Sequence, residues 1–149
     1  MSMYKNVIQG VYTLLASGVS TATQVFTRDQ IVLARLPSNS LVPNTVGTVI
    51  EATGLLANLN ITAVPGVDTV QLVLEEIDPL SGVVTSLAAS TATAVTGMVR
   101  LKMFPAITAV AASTAGVTVQ DILPANWRIR VVHSAASNFT YSLGVTVYA

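Results

Sequence analysis

Trp127-Arg128-Ile129-Arg130-Val131-Val132-His133, then Ser134-Ala135-Ala136-Ser137-Asn138, then Phe139-Thr140-Tyr141-Ser142-Leu143-Gly144-Val145-Thr146-Val147-Tyr148: this stretch decides the fold class. Apolar residues take every second position on both sides of a short polar break. A period of two marks a half-buried strand, because successive side chains leave opposite faces. The small and polar residues of the break read as a turn, so the stretch predicts two strands joined as a hairpin. In the first strand Trp127, Ile129, Val131 and His133 share the inward face, while Arg128 and Arg130 point outward. The stretch also holds the only Trp and the only His of the chain.

Working outward, residues 69–77 alternate Val70, Leu72 and Leu74 with Gln71, Val73 and Glu75. Asp78-Pro79-Leu80-Ser81-Gly82 then closes a turn: Pro presets φ, Asp bonds the backbone ahead of it, and Gly accepts a positive φ. Residues 83–88 return as its hairpin partner. Residues 99–104 set Val99, Leu101 and Met103 on one face and Arg100 and Lys102 on the other. Residues 55–64 form another strand, ending in the type II turn signal Val64-Pro65-Gly66. Residues 6–17, 23–27 and 46–53 also read as strands, and 30–45 as a Pro-containing loop. Residues 105–126 are dominated by Ala and Thr with no clear period. They read as a long ordered loop, with helix an option over 106–112 and Asp121-Ile122-Leu123-Pro124 as a single helical turn. The sum is an all-β chain with little helix, an antiparallel β-sandwich of jelly-roll or immunoglobulin-like type. No strand–helix alternation suggests a parallel sheet. One domain over residues 1–149 is expected, with residues 1–6 as an N-terminal arm.

The 149 residues contain no Cys, which excludes disulfides and thiolate chemistry. Seven basic residues balance seven acidic ones, and charged residues make up only 9% of the chain. Soluble proteins average about 25%. Hydrophobic residues reach 52%, aromatics only 5%, and the mean hydropathy is +0.66. A neutral chain with so few charges predicts a sticky monomer whose surface is covered by other copies or by another protein. No apolar run approaches the ~18 residues of a transmembrane helix. Residues 7–19 resemble a signal peptide behind Lys5, but Gln9, Gly10, Tyr12 and Thr13 interrupt the run, so a soluble protein made in the cytoplasm is expected.

Few residues offer chemistry. A nucleophile–base pair would need His133, and its neighbour Ser134 leaves the opposite face of a strand. No Gly-x-Ser-x-Gly elbow and no phosphate-binding glycine motif occurs. One His without Cys excludes ordinary zinc sites. Glu75, Glu76 and Asp78 form the only acidic cluster and read as solvated charges around a turn. Arg100/Lys102 and Arg128/Arg130 each place two cations on one strand face. Two readings stand for them: cross-strand pairing with Glu75 or Glu76, or a stripe that docks an acidic partner. Nucleic acid is disfavoured by the zero net charge and the lack of interleaved aromatics. No enzyme activity, cofactor, metal or membrane partner is expected.

The order of several motifs resembles a family of small virion-associated proteins of tailed bacteriophages, usually encoded among the head genes. They are Asp78-Pro79-Leu80-Ser81-Gly82, Phe104-Pro105-Ala106-Ile107-Thr108-Ala109, Leu123-Pro124-Ala125-Asn126-Trp127-Arg128-Ile129-Arg130-Val131-Val132-His133 and Thr140-Tyr141-Ser142-Leu143-Gly144. Thr13-Leu14-Leu15-Ala16-Ser17 is similar to the family's opening strand. The chain departs from the pattern at Phe104-Pro105-Ala106, where Pro-Gly is usual, and in a longer Pro-rich segment over 30–50. The resemblance implies a β-sandwich with a structural place in the virion and no catalytic residues. The expected role is a capsid decoration (cement) protein that binds between major capsid subunits, as a homo-oligomer with a trimer favoured. Met1, Tyr4 and Lys5 of the arm, with Arg128 and Arg130, are the expected partner interface. A neck, tail or head-fibre component is the alternative, and a carbohydrate-binding module using Tyr141 or Tyr148 a more distant one.

Overall fold

The structure, a computed structural model, describes residues 8–28 and 53–148, with residues 8–17 described by their backbone. Ten strands follow in order: β1 (Ile8–Ser20), β2 (Gln24–Thr27), β3 (Gly54–Ala63), β4 (Val70–Ile77), β5 (Val84–Ala89), β6 (Gly97–Phe104), β7 (Val110–Ser113), β8 (Gly116–Gln120), β9 (Trp127–His133) and β10 (Phe139–Tyr148). They form a six-stranded sheet in the order β1-β10-β3-β6-β8-β7 and a four-stranded sheet in the order β2-β9-β4-β5. The two sheets pack face to face as a β-sandwich, the expected class. Among the described residues no helix is long and apolar enough to cross a membrane. The expected arm over 1–6, the loop over 30–45 and all but Thr53 of the strand over 46–53 lie outside the described residues.

The alternating patterns produce the core directly. Leu55, Ala57, Leu59 and Ile61 of β3, Val99, Leu101 and Met103 of β6, and Phe139, Tyr141, Leu143, Val145 and Val147 of β10 face inward from the larger sheet. Val70, Leu72, Leu74, Ala88, Trp127, Ile129 and Val131 meet them from the smaller one. Each large side chain moved from water into this layer contributes about 1.5–3 kcal/mol.

The expected hairpin of β9 and β10 does not form. β9 lies between β2 and β4, and β10 lies between β1 and β3 in the opposite sheet. Residues 134–138 therefore cross the sandwich instead of turning within one sheet. Burial suits the crossing: the inward faces of both strands are apolar apart from His133 and the Tyr141 hydroxyl, which meet each other. Placed in opposite sheets, those faces cover each other. The crossing is tied to the loop before β4, with Ser134 N–H donating to Thr69 O (2.9 Å), Thr69 N–H to Ser134 Oγ (2.8 Å), and the Ser137 hydroxyl to Asp68.

The β4–β5 hairpin forms as expected, with Ile77 opposite Val84 and a register shift between Leu74 and Glu75. The Asp78 carboxylate accepts the N–H groups of Leu80 (3.1 Å) and Ser81 (3.2 Å) and the Ser81 hydroxyl. Gly82 takes φ 72° and donates its N–H to Asp78 O.

Residues 105–126 differ from expectation. They hold β7 and β8, and neither the helix over 106–112 nor the helical turn at residues 121–124 occurs. β8 pairs with β6 in parallel, a pairing the sequence pattern did not suggest. Short runs of Ala, Thr and Val show no contrast between faces, so period two is invisible there. Leu123 is buried in the core cluster, and its N–H donates to Thr53 O. An extended chain lets it reach that position beside Trp127.

Gly116 permits the parallel pairing. A Cβ there would lie 1.8 Å from the Arg100 carbonyl oxygen, and the residue holds φ +137°. Gly66 has φ +118° but open space around it. Gly116→Ala is expected to destabilise the fold by at least about 3 kcal/mol. Gly66→Ala should lose only about 1–2 kcal/mol, the strain of φ alone. Urea midpoints of the two variants check the contrast; equal losses would contradict the close approach of β8 to β6.

Candidate functional site

The two arginines of β9 stand on the outer face of the four-stranded sheet, where register decides their partner. Glu75 of β4 is directly opposite Arg128, and Arg130 is opposite Val73, one diagonal step from Glu75. Arg128 Nε donates to Glu75 Oε2 at 2.6 Å and Arg130 Nη1 to Oε1 at 2.8 Å. Each carboxylate oxygen thus takes one guanidinium. The Glu75 side chain is 8% exposed, and those of Arg128 and Arg130 are 25% and 29% exposed. This is the cross-strand pairing foreseen from the sequence, with Glu75 and not Glu76 as the partner. The other expected interface residues, Met1, Tyr4 and Lys5, lie outside the described residues.

His133 ends the inward row of β9 and points across the sandwich. Its Nε2 is 2.9 Å from the Tyr141 hydroxyl, and its ring lies edge-on to Phe139 at 5.1 Å between centroids. Nδ1 is buried without a hydrogen-bond partner among the described residues. Tyr141 also meets Ser20. A consistent assignment has Nε2–H donating to Tyr141 and the tyrosine hydroxyl donating to Ser20, leaving only a lone pair on Nδ1 unmet. Burial lowers the His133 pKa and raises that of Tyr141. Tyr141 is fully buried, so of the two tyrosines considered for carbohydrate contact only Tyr148 reaches the surface.

The outer face of the six-stranded sheet carries a feature the sequence did not disclose. Tyr148 of β10 is opposite Gly54 of β3, and the Phe104 ring of β6 lies over that glycine. A Cβ on Gly54 would come within 2.3 Å of the ring. Phe104 and Tyr148 meet edge to face, centroids 5.1 Å apart. With Leu56, Lys102, Ala106 and Ile107 they line an open cleft of about 330 Å³. Arg100 stands two residues from Lys102 on the same face, and among the described residues neither cation has an ion pair. Only topology brings these residues together, since they come from three strands and a loop.

Among the described residues no group of three or more His, Cys, Asp or Glu could hold a metal ion. No family model, no curated protein and no solved structure matches the chain.

Two predictions follow from the polar contacts. Glu75→Gln leaves two partly buried guanidiniums side by side and should cost about 2–3 kcal/mol, below the buried-pair range because the arginines are partly solvated. Arg128→Met leaves Glu75 with Arg130 and should cost about 1 kcal/mol. Urea denaturation at neutral pH checks the order. For His133, the folded pKa lies below its ordinary value near 6.5. The unfolded chain then binds the proton first, so this contribution is complete above pH 6.5 and is lost as pH falls through the folded pKa. Thermal midpoints should drop between about pH 7 and pH 5, and His133→Gln should flatten that part of the profile; an unchanged profile would contradict the assignment.

Proposed function

We propose that the chain is a structural virion protein, a capsid decoration (cement) protein on the head of a tailed bacteriophage that binds between major capsid subunits. The observation that carries this reading is the ordered set of motifs that resembles small virion-associated proteins of tailed bacteriophages. Each motif has a structural task here. Asp78-Pro79-Leu80-Ser81-Gly82 builds the self-bonded β4–β5 turn. Leu123 and Trp127 of the Leu-Pro-x-x-Trp motif are core residues, and Arg128 holds Glu75. Tyr141 of the closing motif is the buried partner of His133.

The surface supports the same reading. Val67 is 91% exposed, Leu80 96%, Val95 63% and Ile122 63%, on a chain with few charges to keep copies apart. A rigid sandwich with such a surface suits permanent assembly, in which apolar area is covered by neighbours in a lattice.

Purified protein mixed with heads that lack it should bind saturably at defined lattice positions, seen by electron microscopy, and should raise the temperature at which the heads rupture. Absence of saturable binding would sink the proposal. Binding restricted to the neck would move the protein to the portal end of the virion.

A further inference from the structure

Once the internal pairs are assigned, the charges left within the strands themselves separate by sign, with Asp121 just beyond β8 and Arg28 just beyond β2 lying outside this division. The six strands of the larger sheet contain no Asp or Glu, and their only charges are Arg100 and Lys102. On the smaller sheet Glu75 is taken by Arg128 and Arg130, which leaves Glu76 without an ion pair among the described residues at the end of β4. Asp78 follows in the turn. Ser81 and the Leu80 N–H hold its carboxyl below the ordinary carboxylate range, so it stays ionised.

The two regions also match in shape. Leu80 sits on the crown of the β4–β5 turn and is 96% exposed, an apolar knob whose N–H is held by the Asp78 carboxylate, with Glu76 at the end of the strand that leads into the turn. The cleft formed by Leu56, Phe104, Ile107 and Tyr148 is an apolar hollow beside two unpaired cations, and its volume of about 330 Å³ admits a leucine side chain. The turn is already fixed by its own hydrogen bonds, so docking it orders little further chain.

We infer that the β4–β5 turn of one copy docks into the outer-face cleft of a second copy, with Leu80 in the hollow and Glu76 and Asp78 facing Arg100 and Lys102. Knob and hollow are different surfaces, so the contact is heterologous and propagates head to tail until rotation closes a ring. One such contact is small. A ring holds every subunit twice, which raises its strength without new contacts. The contact supplies the homo-oligomer that the proposed decoration role uses, yet it is tested without any capsid.

The test is sedimentation velocity of the full chain at concentrations up to about 1 mM. Wild type should form a closed oligomer that loosens in high salt. Leu80→Ser, a change at a fully exposed position, and Lys102→Glu should each weaken assembly at least about tenfold. The decisive sample is a mixture of the two variants. Lys102→Glu keeps its knob and Leu80→Ser keeps its hollow, so together they should form a heterodimer that neither forms alone. The double variant Lys102→Glu/Glu76→Lys should regain oligomer by restoring charge complementarity. A monomeric wild type, variants that assemble like wild type, or a mixture that stays monomeric would each overturn the inference. Head binding by a monomeric wild type would leave the decoration role standing without it.

Discussion

The structure depends on one constraint: the inward rows of β9 and β10 need a second layer to cover them, and the chain supplies it by placing the two strands in opposite sheets. Trp127, Ile129 and Val131 on one strand and Phe139, Tyr141, Leu143, Val145 and Val147 on the next are at most 3% exposed. Beside β10, β3 and β6 add their own inward rows, and β4 adds its row beside β9, so each sheet presents one continuous face to the other. Opposed across the sandwich, they are each other's cover. Residues 134–138 carry the chain between the layers, and hydrogen bonds to Thr69 and Asp68 satisfy polar groups of the crossing. The central places of β9 and β10 then order the remaining strands. β4 and β2 flank β9, and β3 and β1 flank β10.

That constraint explains which parts of the fold were legible in the sequence. Alternation in β3, β4, β6, β9 and β10 was plain because each buries large apolar residues on one face and carries polar ones on the other. The Asp78 turn was legible because its residues act locally. Strand partners were not. Period two states that a strand has an inner face, but it is silent about which sheet the strand joins. The polar residues 134–138 suit a hairpin and a crossing equally. β7 and β8 were hidden because Val110–Ser113 is exposed throughout and β8 is short and partly buried, so neither shows a two-sided pattern.

The candidate sites divide in the same way. The Arg128–Glu75–Arg130 contact was one of the two readings of the basic pairs, and the register of β4 against β9 realises it for Arg128 and Arg130 but not for Arg100 and Lys102. The inward course of His133 was also visible, as the last member of an alternating row. The aromatic cleft was not, since Gly54, Phe104 and Tyr148 meet only when β10 and β6 both flank β3. One signal was present: Arg100 and Lys102 share a strand face in a chain whose Asp and Glu residues lie elsewhere. Tyr141, by contrast, looked like a surface aromatic while its parity with Phe139 and Leu143 already placed it inside.

Scarcity of charge also bears on how the sheet edges are kept apart. Open edges usually carry Lys or Pro, which discourage strand addition. Here β2, β5 and β7 carry neither. β2 and β7 are instead only four residues long. β5 is interrupted against β4 by a register shift, and β1 meets β10 with three such shifts along its length. Bulges and shortness spoil an edge as a template without adding charge, because they twist the strand and remove consecutive donors and acceptors from line. A surface defended in this way can remain apolar on its faces and turns while resisting indiscriminate strand pairing. In the self-docking inferred above, this leaves side-chain surfaces such as the Leu80 crown and the Phe104–Tyr148 hollow, rather than the edges, as the places where shape and sign of charge can select one geometry.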